Sequence, residues 1–161
     1  MLTFNQAVLA AVAIGGIALG AAYAVQPSVA QMAAAEKSAA KAQVYRSASC
    51  GCCKKWVSHL QQNGFAVTDS VVDDINAVKT QLGLPLALGS CHTAVVDGYL
   101  VEGHVPAEDI RKLLETKPAV RGIAVPRMPA GSPGMEAAGR KDAFDVLAFD
   151  AQGKTTVFSH H

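Results

Sequence analysis

The sequence predicts a small α/β domain, a mixed sheet with helices packed on it, behind an apolar N-terminal leader. Three observations predict it. Apolar spacing switches between strand-like and helix-like segments in the order β-α-β-α-β-β-α, which suits a layered sheet. Asp97-Gly98 sits between two apolar runs, the strongest two-residue hairpin signal. Charge is absent from the first 35 residues, so that all 14 Lys and Arg and all 13 Asp and Glu follow Ala35. A chain of 161 residues has room for one ordinary domain and a tail. Its net charge of +1 leaves no excess of cations to neutralise phosphates, so no nucleic-acid partner is expected.

Ala7 to Val25 contains no strongly polar side chain and is close to bilayer-spanning length. It is rich in Ala and Gly, and Pro27 follows at once. Ser28-Val29-Ala30 offers the small residues a signal peptidase reads, with cleavage before Gln31. No Lys or Arg precedes the run, so orientation is weakly specified. Residues 1–30 are therefore expected to be a signal peptide or an uncleaved membrane anchor. Residues 31–42 read as a linker and 43–161 as the folded domain.

Val44-Tyr45 opens the first strand. A helix is predicted from Cys50 to Asn63, because Cys53, Trp56, Val57 and Leu60 recur at helical spacing, and Gly64 stops it. Phe65 to Val72 is the second strand. Asp73 or Asp74 caps a helix carrying Ile75, Val78 and Leu82, ended by Gly83 and Pro85. Ala94–Val96 and Tyr99–Val101 flank the hairpin turn. Pro106 starts a helix with Glu108 and Asp109 in its first turn and Ile110, Leu113 and Leu114 inward, stopped by Pro118. Gly122 to Pro133 reads as a Pro- and Gly-rich loop. Phe144–Phe149 and Lys154–Ser159 form a closing hairpin.

Cys50-Gly51-Cys52-Cys53 places three thiols in four residues. With Ser49 as N-cap, Cys50 and Cys52 take the first and third helical positions, where free amides and the helix dipole favour thiolate. Lys54 and Lys55 act in the same direction. Both metal binding and disulfide exchange require such thiolates. Cys53 differs, lying on the apolar stripe with Trp56. The fourth cysteine, Cys91, is located by the hairpin. Pairing Val96 with Tyr99 makes partners sum to 195, which sets Cys91 opposite His104 with Cβ atoms roughly 4.5–5.5 Å apart. A thiolate and an imidazole so placed make half a metal site, and strand alternation turns His92 to the other face. Met128 and Met135 bound a loop with little else apolar, which suggests thioether ligands. Cys with Met selects Cu(I), whereas zinc takes Cys, His and carboxylate. His59 reads as a surface or packing residue, and His160 and His161 as a frayed tail.

Cys-Gly-Cys-Cys-Lys-Lys-Trp from Cys50, Ser-Cys-His-Thr from Ser90, Glu-Gly-His-Val-Pro from Glu102 and Met-Pro-Ala-Gly-Ser-Pro-Gly-Met-Glu from Met128 occur in that order. Together they resemble the CopG-type copper-resistance proteins, small periplasmic metal-binding proteins long known only as a domain of unknown function. The resemblance spans about Val44 to Ser159. It implies a thioredoxin-like fold, a periplasmic setting and copper at the Cys-x-Cys-Cys motif. Carried over by position, it implicates Cys50, Cys52, Cys53 and Cys91, with His104, Met128 and Met135 as further ligands. Arg127 departs from the family pattern, standing where Gly is expected.

The reading that follows is a copper-binding protein of the cell envelope, holding Cu(I), with room for more than one ion, and serving copper resistance or handling, with copper or thiol redox activity left open. Its partners are copper ions and envelope copper-handling proteins, and it meets the membrane only through an uncleaved leader. The alternative is a thiol–disulfide oxidoreductase using Cys50 and Cys53. A structural four-cysteine zinc site is the third. An oxidising compartment favours disulfides, and Cys50–Cys53 or Cys52–Cys91 fits better than the adjacent Cys52–Cys53.

Overall fold

A computed structural model describes residues 39–137 and 139–161. The expected leader, its expected cleavage point and most of the expected linker lie outside them. Within the described residues no helix is long and apolar enough to cross a membrane.

The chain folds as β1 (Lys41–Arg46), α1 (Gly51–Gln62), β2 (Ala66–Val71), α2 (Ile75–Gln81), a 3-10 turn (Leu86–Leu88), β3 (His92–Val96), β4 (Tyr99–Gly103), α3 (Ala107–Thr116), β5 (Gly122–Val125), β6 (Asp145–Phe149) and β7 (Thr155–His160). The strands form one mixed sheet in the order β2-β1-β3-β4-β5-β6-β7. β1 runs parallel to β2, and β4 parallel to β5; every other pairing is antiparallel. With α1 and α3 on one face and α2 on the other, this is a thioredoxin-like α/β fold extended by the closing hairpin.

Strand alternation divides the core in two. Trp56, Val57 and Leu60 of α1 and Ile110 and Leu113 of α3 pack with Val44, Ala94, Val96, Val101 and Ile123. The reverse face buries Leu100, Ala124 and Phe149 under Leu84 and Leu88. The predicted hairpin register holds: Val96 pairs Tyr99, Val95 pairs Leu100 and Thr93 pairs Glu102. Asp74 caps α2, accepting from the amides of Asn76 and Ala77 at 2.9 and 3.1 Å.

Three expectations are corrected. Gly122 to Val125 is a buried strand rather than the start of a loop. A short run buried on both sides carries no alternation to betray it. Gly122 is required there, because a Cβ would meet the Leu100 carbonyl oxygen at 2.1 Å. The α2 residue that buries most deeply is Lys79, whereas Ile75, Val78 and Leu82 stay partly exposed. His160 and His161 are not a frayed tail. His160 pairs Asp145 in the sheet, with Nδ1 2.7 Å from its carboxylate. His161 stacks on Phe144, with ring centroids 5.0 Å apart, and its Nε2 reaches the Asp109 carboxylate at 2.7 Å.

Candidate metal centre

The α1 N-terminus and the β3–β4 hairpin meet through two short irregular segments. Cys50, not Ser49, is the N-cap: its backbone is extended, and its sulfur accepts from the Cys53 amide at 3.3 Å. Cys52 and Cys53 therefore occupy the second and third helical positions. The motif shifts by one residue, yet the cysteines remain in the first turn where the dipole acts. Cys53 turns inward and is fully buried beside Trp56. Cys50 and Cys53 form a disulfide, their Cα atoms 5.3 Å apart, and Cys52 and Cys91 are free.

Cys91 and His104 lie in bends just beyond the ends of β3 and β4. Their predicted opposition carries past the ladder, and Cys91 Sγ is 3.0 Å from His104 Nε2. Cys52 Sγ lies 3.5 Å from Cys50 Sγ and 3.9 Å from Cys91 Sγ. One sulfur from each of the four cysteines falls within 4.8 Å of the others, and Cys91, His92 and His104 form a second such group. His92 is the residue that strand alternation misplaced. Its Nδ1 is 3.3 Å from Cys91 Sγ, because Cys91 precedes β3 and the alternation does not extend to it. The His92 ring lies 4.3 Å from that of Trp56 and 4.9 Å from that of His104. Its Nε2 is buried without a hydrogen-bond partner among the described residues.

Environment sets the charge of these groups. Burial, with Cys52 adding to it, pushes the Cys91 thiol up to about 12, so in metal-free protein it keeps its proton at neutral pH. Burial lowers His104, and burial followed by neighbouring His104 and Lys79 holds His92 well below the usual imidazole range. Both rings are therefore neutral. The Pro133 carbonyl lies 2.8 Å from His104 Nδ1 and can only accept, so Nδ1 carries the hydrogen and Nε2 offers its lone pair toward Cys91. A neutral imidazole oriented through its other nitrogen is the usual form of a metal-binding histidine.

The 126–135 loop lies against this cluster. Gly134, at φ +87°, lets it approach α1 so closely that a Cβ would meet the Cys52 carbonyl oxygen at 2.8 Å and the Trp56 nitrogen at 2.9 Å. Met135 follows it and is half-buried. Met128 is 51% exposed, on the wall of a cavity of about 770 Å³ that none of the cysteines lines. Arg127 has φ +65°, the left-handed conformation that suits the glycine expected at this position; nothing in the structure explains the arginine, whose carbonyl accepts from Ser90 Oγ. His59 has a structural partner: its Nε2 accepts the Ala107 amide at the start of α3, at 3.1 Å.

Two solved structures of copper resistance protein CopG, forms 2 and 1, resemble the whole domain. They share 51% and 52% identity with the chain, at TM-scores of 0.73 and 0.71. The matches cover 76% and 75% of this chain and 98% and 96% of those chains. The chain belongs to the CopG family. Residues 88–135 also match the family described as protein of unknown function DUF411, a span that holds Cys91, His104 and both loop methionines of the CopG-like pattern. No curated protein matches. With its cysteine cluster, membership of the CopG family supports a role in copper handling.

Proposed function

We propose that this protein binds Cu(I) in the cell envelope through the thiolates of Cys50, Cys52, Cys53 and Cys91. The observation that carries this reading is the convergence of four sulfurs within 4.8 Å beside a neutral His104. Thiolates select Cu(I) over harder ions, and adjacent thiolates can bridge several ions. His104 is the nitrogen ligand. Met135, next to the glycine that touches Cys52, is the thioether donor at the cluster, and Met128, exposed on the wall of the neighbouring cavity, joins it only if the 126–135 loop moves. The leader carries the domain out of the cytoplasm, where it exchanges copper with other envelope proteins. Reduced protein should compete with a Cu(I) chelator, and Cys91→Ser should weaken that competition. No binding after full reduction overturns the reading.

The Cys50–Cys53 disulfide at a helix N-terminus favours a second reading, a thiol–disulfide oxidoreductase. It requires that Cys50→Ser abolish turnover in an insulin-reduction assay while Cys91→Ser does not.

A further inference from the structure

Glu102, on β4, has no exposed surface and plays no part in the copper reading. It faces away from Trp56 and α1, on the side of the sheet that carries Leu100. Three donors converge on it. Lys79 of α2 forms an ion pair with Oε1, Thr93 Oγ1 donates to Oε2 at 2.5 Å, and the Ser90 backbone N–H donates to Oε1 at 2.5 Å. Lys79 Nζ also donates to Thr93 Oγ1 at 2.8 Å. Lys79 itself is only 2% exposed.

Stability alone is a poor account of this arrangement. A buried ion pair costs desolvation, and well-packed apolar replacements are often as stable or more so. What an apolar pair cannot supply is an acceptor for the Ser90 N–H. Ser90 immediately precedes Cys91 and is held a second time where its Oγ donates to the Arg127 carbonyl at 2.5 Å. From His92 onward the β3 ladder fixes the chain. Cys91 is thus gripped from both sides, in a loop that contains no proline to stiffen it.

We infer that Glu102, held by Lys79, is a positioning residue that fixes Cys91 Sγ against Cys52 and His104 by accepting the Ser90 amide from the far side of the sheet. Its consequence for metal rests on Cys91 being a copper ligand; its consequence for the thiol does not.

Two double variants of the full chain separate this role from the ion pair. K79M/E102Q removes both charges but keeps an acceptor for Ser90; K79M/E102L removes both charges and the acceptor. In metal-free protein with the Cys50–Cys53 disulfide intact, alkylation of Cys91 is followed by peptide mass spectrometry. K79M/E102L should alkylate about tenfold faster than wild type through local opening of the loop. It should also bind Cu(I), measured after reduction, about tenfold or more weakly, the usual cost of losing a group that orients a ligand. K79M/E102Q should stay within about twofold of wild type in both, because the Ser90 bond survives. Two folded variants that behave alike, whether both normal or both impaired, overturn the inference. Should K79M/E102L fail to fold, hydrogen exchange at the wild-type Ser90 amide decides: protection comparable to β3 supports the clamp, and exchange at an open-loop rate overturns it. Wild-type protein that binds no copper sinks the copper reading, while alkylation and exchange still judge the positioning role.

Discussion

His104 holds its Nε2 3.0 Å from Cys91 Sγ while its Nδ1–H is tied to the Pro133 carbonyl at 2.8 Å. The ring is therefore aimed by a segment 29 residues away in sequence. His104→Ala should weaken Cu(I) binding by about tenfold to a hundredfold, read by chelator competition on reduced protein. Unchanged affinity would remove His104 from the ligand set.

The Cys50–Cys53 disulfide occupies two of the four thiols. Oxidised protein should therefore react with a thiol reagent only at Cys52 and Cys91, and reduced protein at all four cysteines. Copper capacity, measured by metal analysis after gel filtration, should rise on reduction. Equal capacity in both states would mean that the disulfide does not gate loading.

His59 gives the fold an acid sensitivity of definite sign. Burial lowers its pKa below 6.5, against the opposing pull of Glu136 and Glu108. The unfolded chain takes up the proton more readily than the folded one. His59 therefore contributes stability that is fully present above pH 6.5 and lost as pH falls through its depressed folded value. Protonation also removes the acceptor that satisfies the Ala107 amide. Urea midpoints should fall between pH 7.5 and 5.5, and His59→Gln, which keeps an acceptor, should flatten part of that slope. His92 and His104 are lowered too and should maintain the remainder.

Two loop substitutions have opposite expected signs. Gly134→Ala forces a methyl group against the Cys52 carbonyl and the Trp56 nitrogen at a left-handed backbone position, and should cost about 1–3 kcal/mol. It should also release the Pro133 grip on His104 and lower copper affinity. Arg127→Gly relieves the unfavourable φ of +65° on an exposed side chain, and should stabilise by up to about 1 kcal/mol. Denaturant unfolding of both variants checks the pair, and equal signs would contradict the loop geometry.

Local pattern carried a large share of the fold. The Asp97-Gly98 turn set the β3–β4 register, and through it the meeting of Cys91 with His104, because a two-residue turn leaves no freedom in which residues oppose. The apolar stripe of α1 likewise marked Cys53 as the inward cysteine. β5 escaped because it is a four-residue run buried on both faces, and its partners β4 and β6 lie across α3 and across the long loop that follows, so nothing nearby in sequence signals it. His92 escaped because strand alternation was extended one residue past the strand. Glu102 and Lys79 escaped because charge reads as surface until a structure shows it sealed beneath the sheet.

The sequence by itself determined the α/β class, the charge-free stretch of the first 35 residues, the soft-donor inventory and the hairpin that faces a thiol to an imidazole. These depend on residue type and on periodicities of a few residues. Tertiary structure alone decided that Cys50 pairs with Cys53, that both imidazoles are neutral, that His104 is aimed by Pro133 and that a buried carboxylate holds the amide beside Cys91. Each of these depends on how closely segments remote in sequence approach and how much water they exclude, and that closeness is a property of the packed whole.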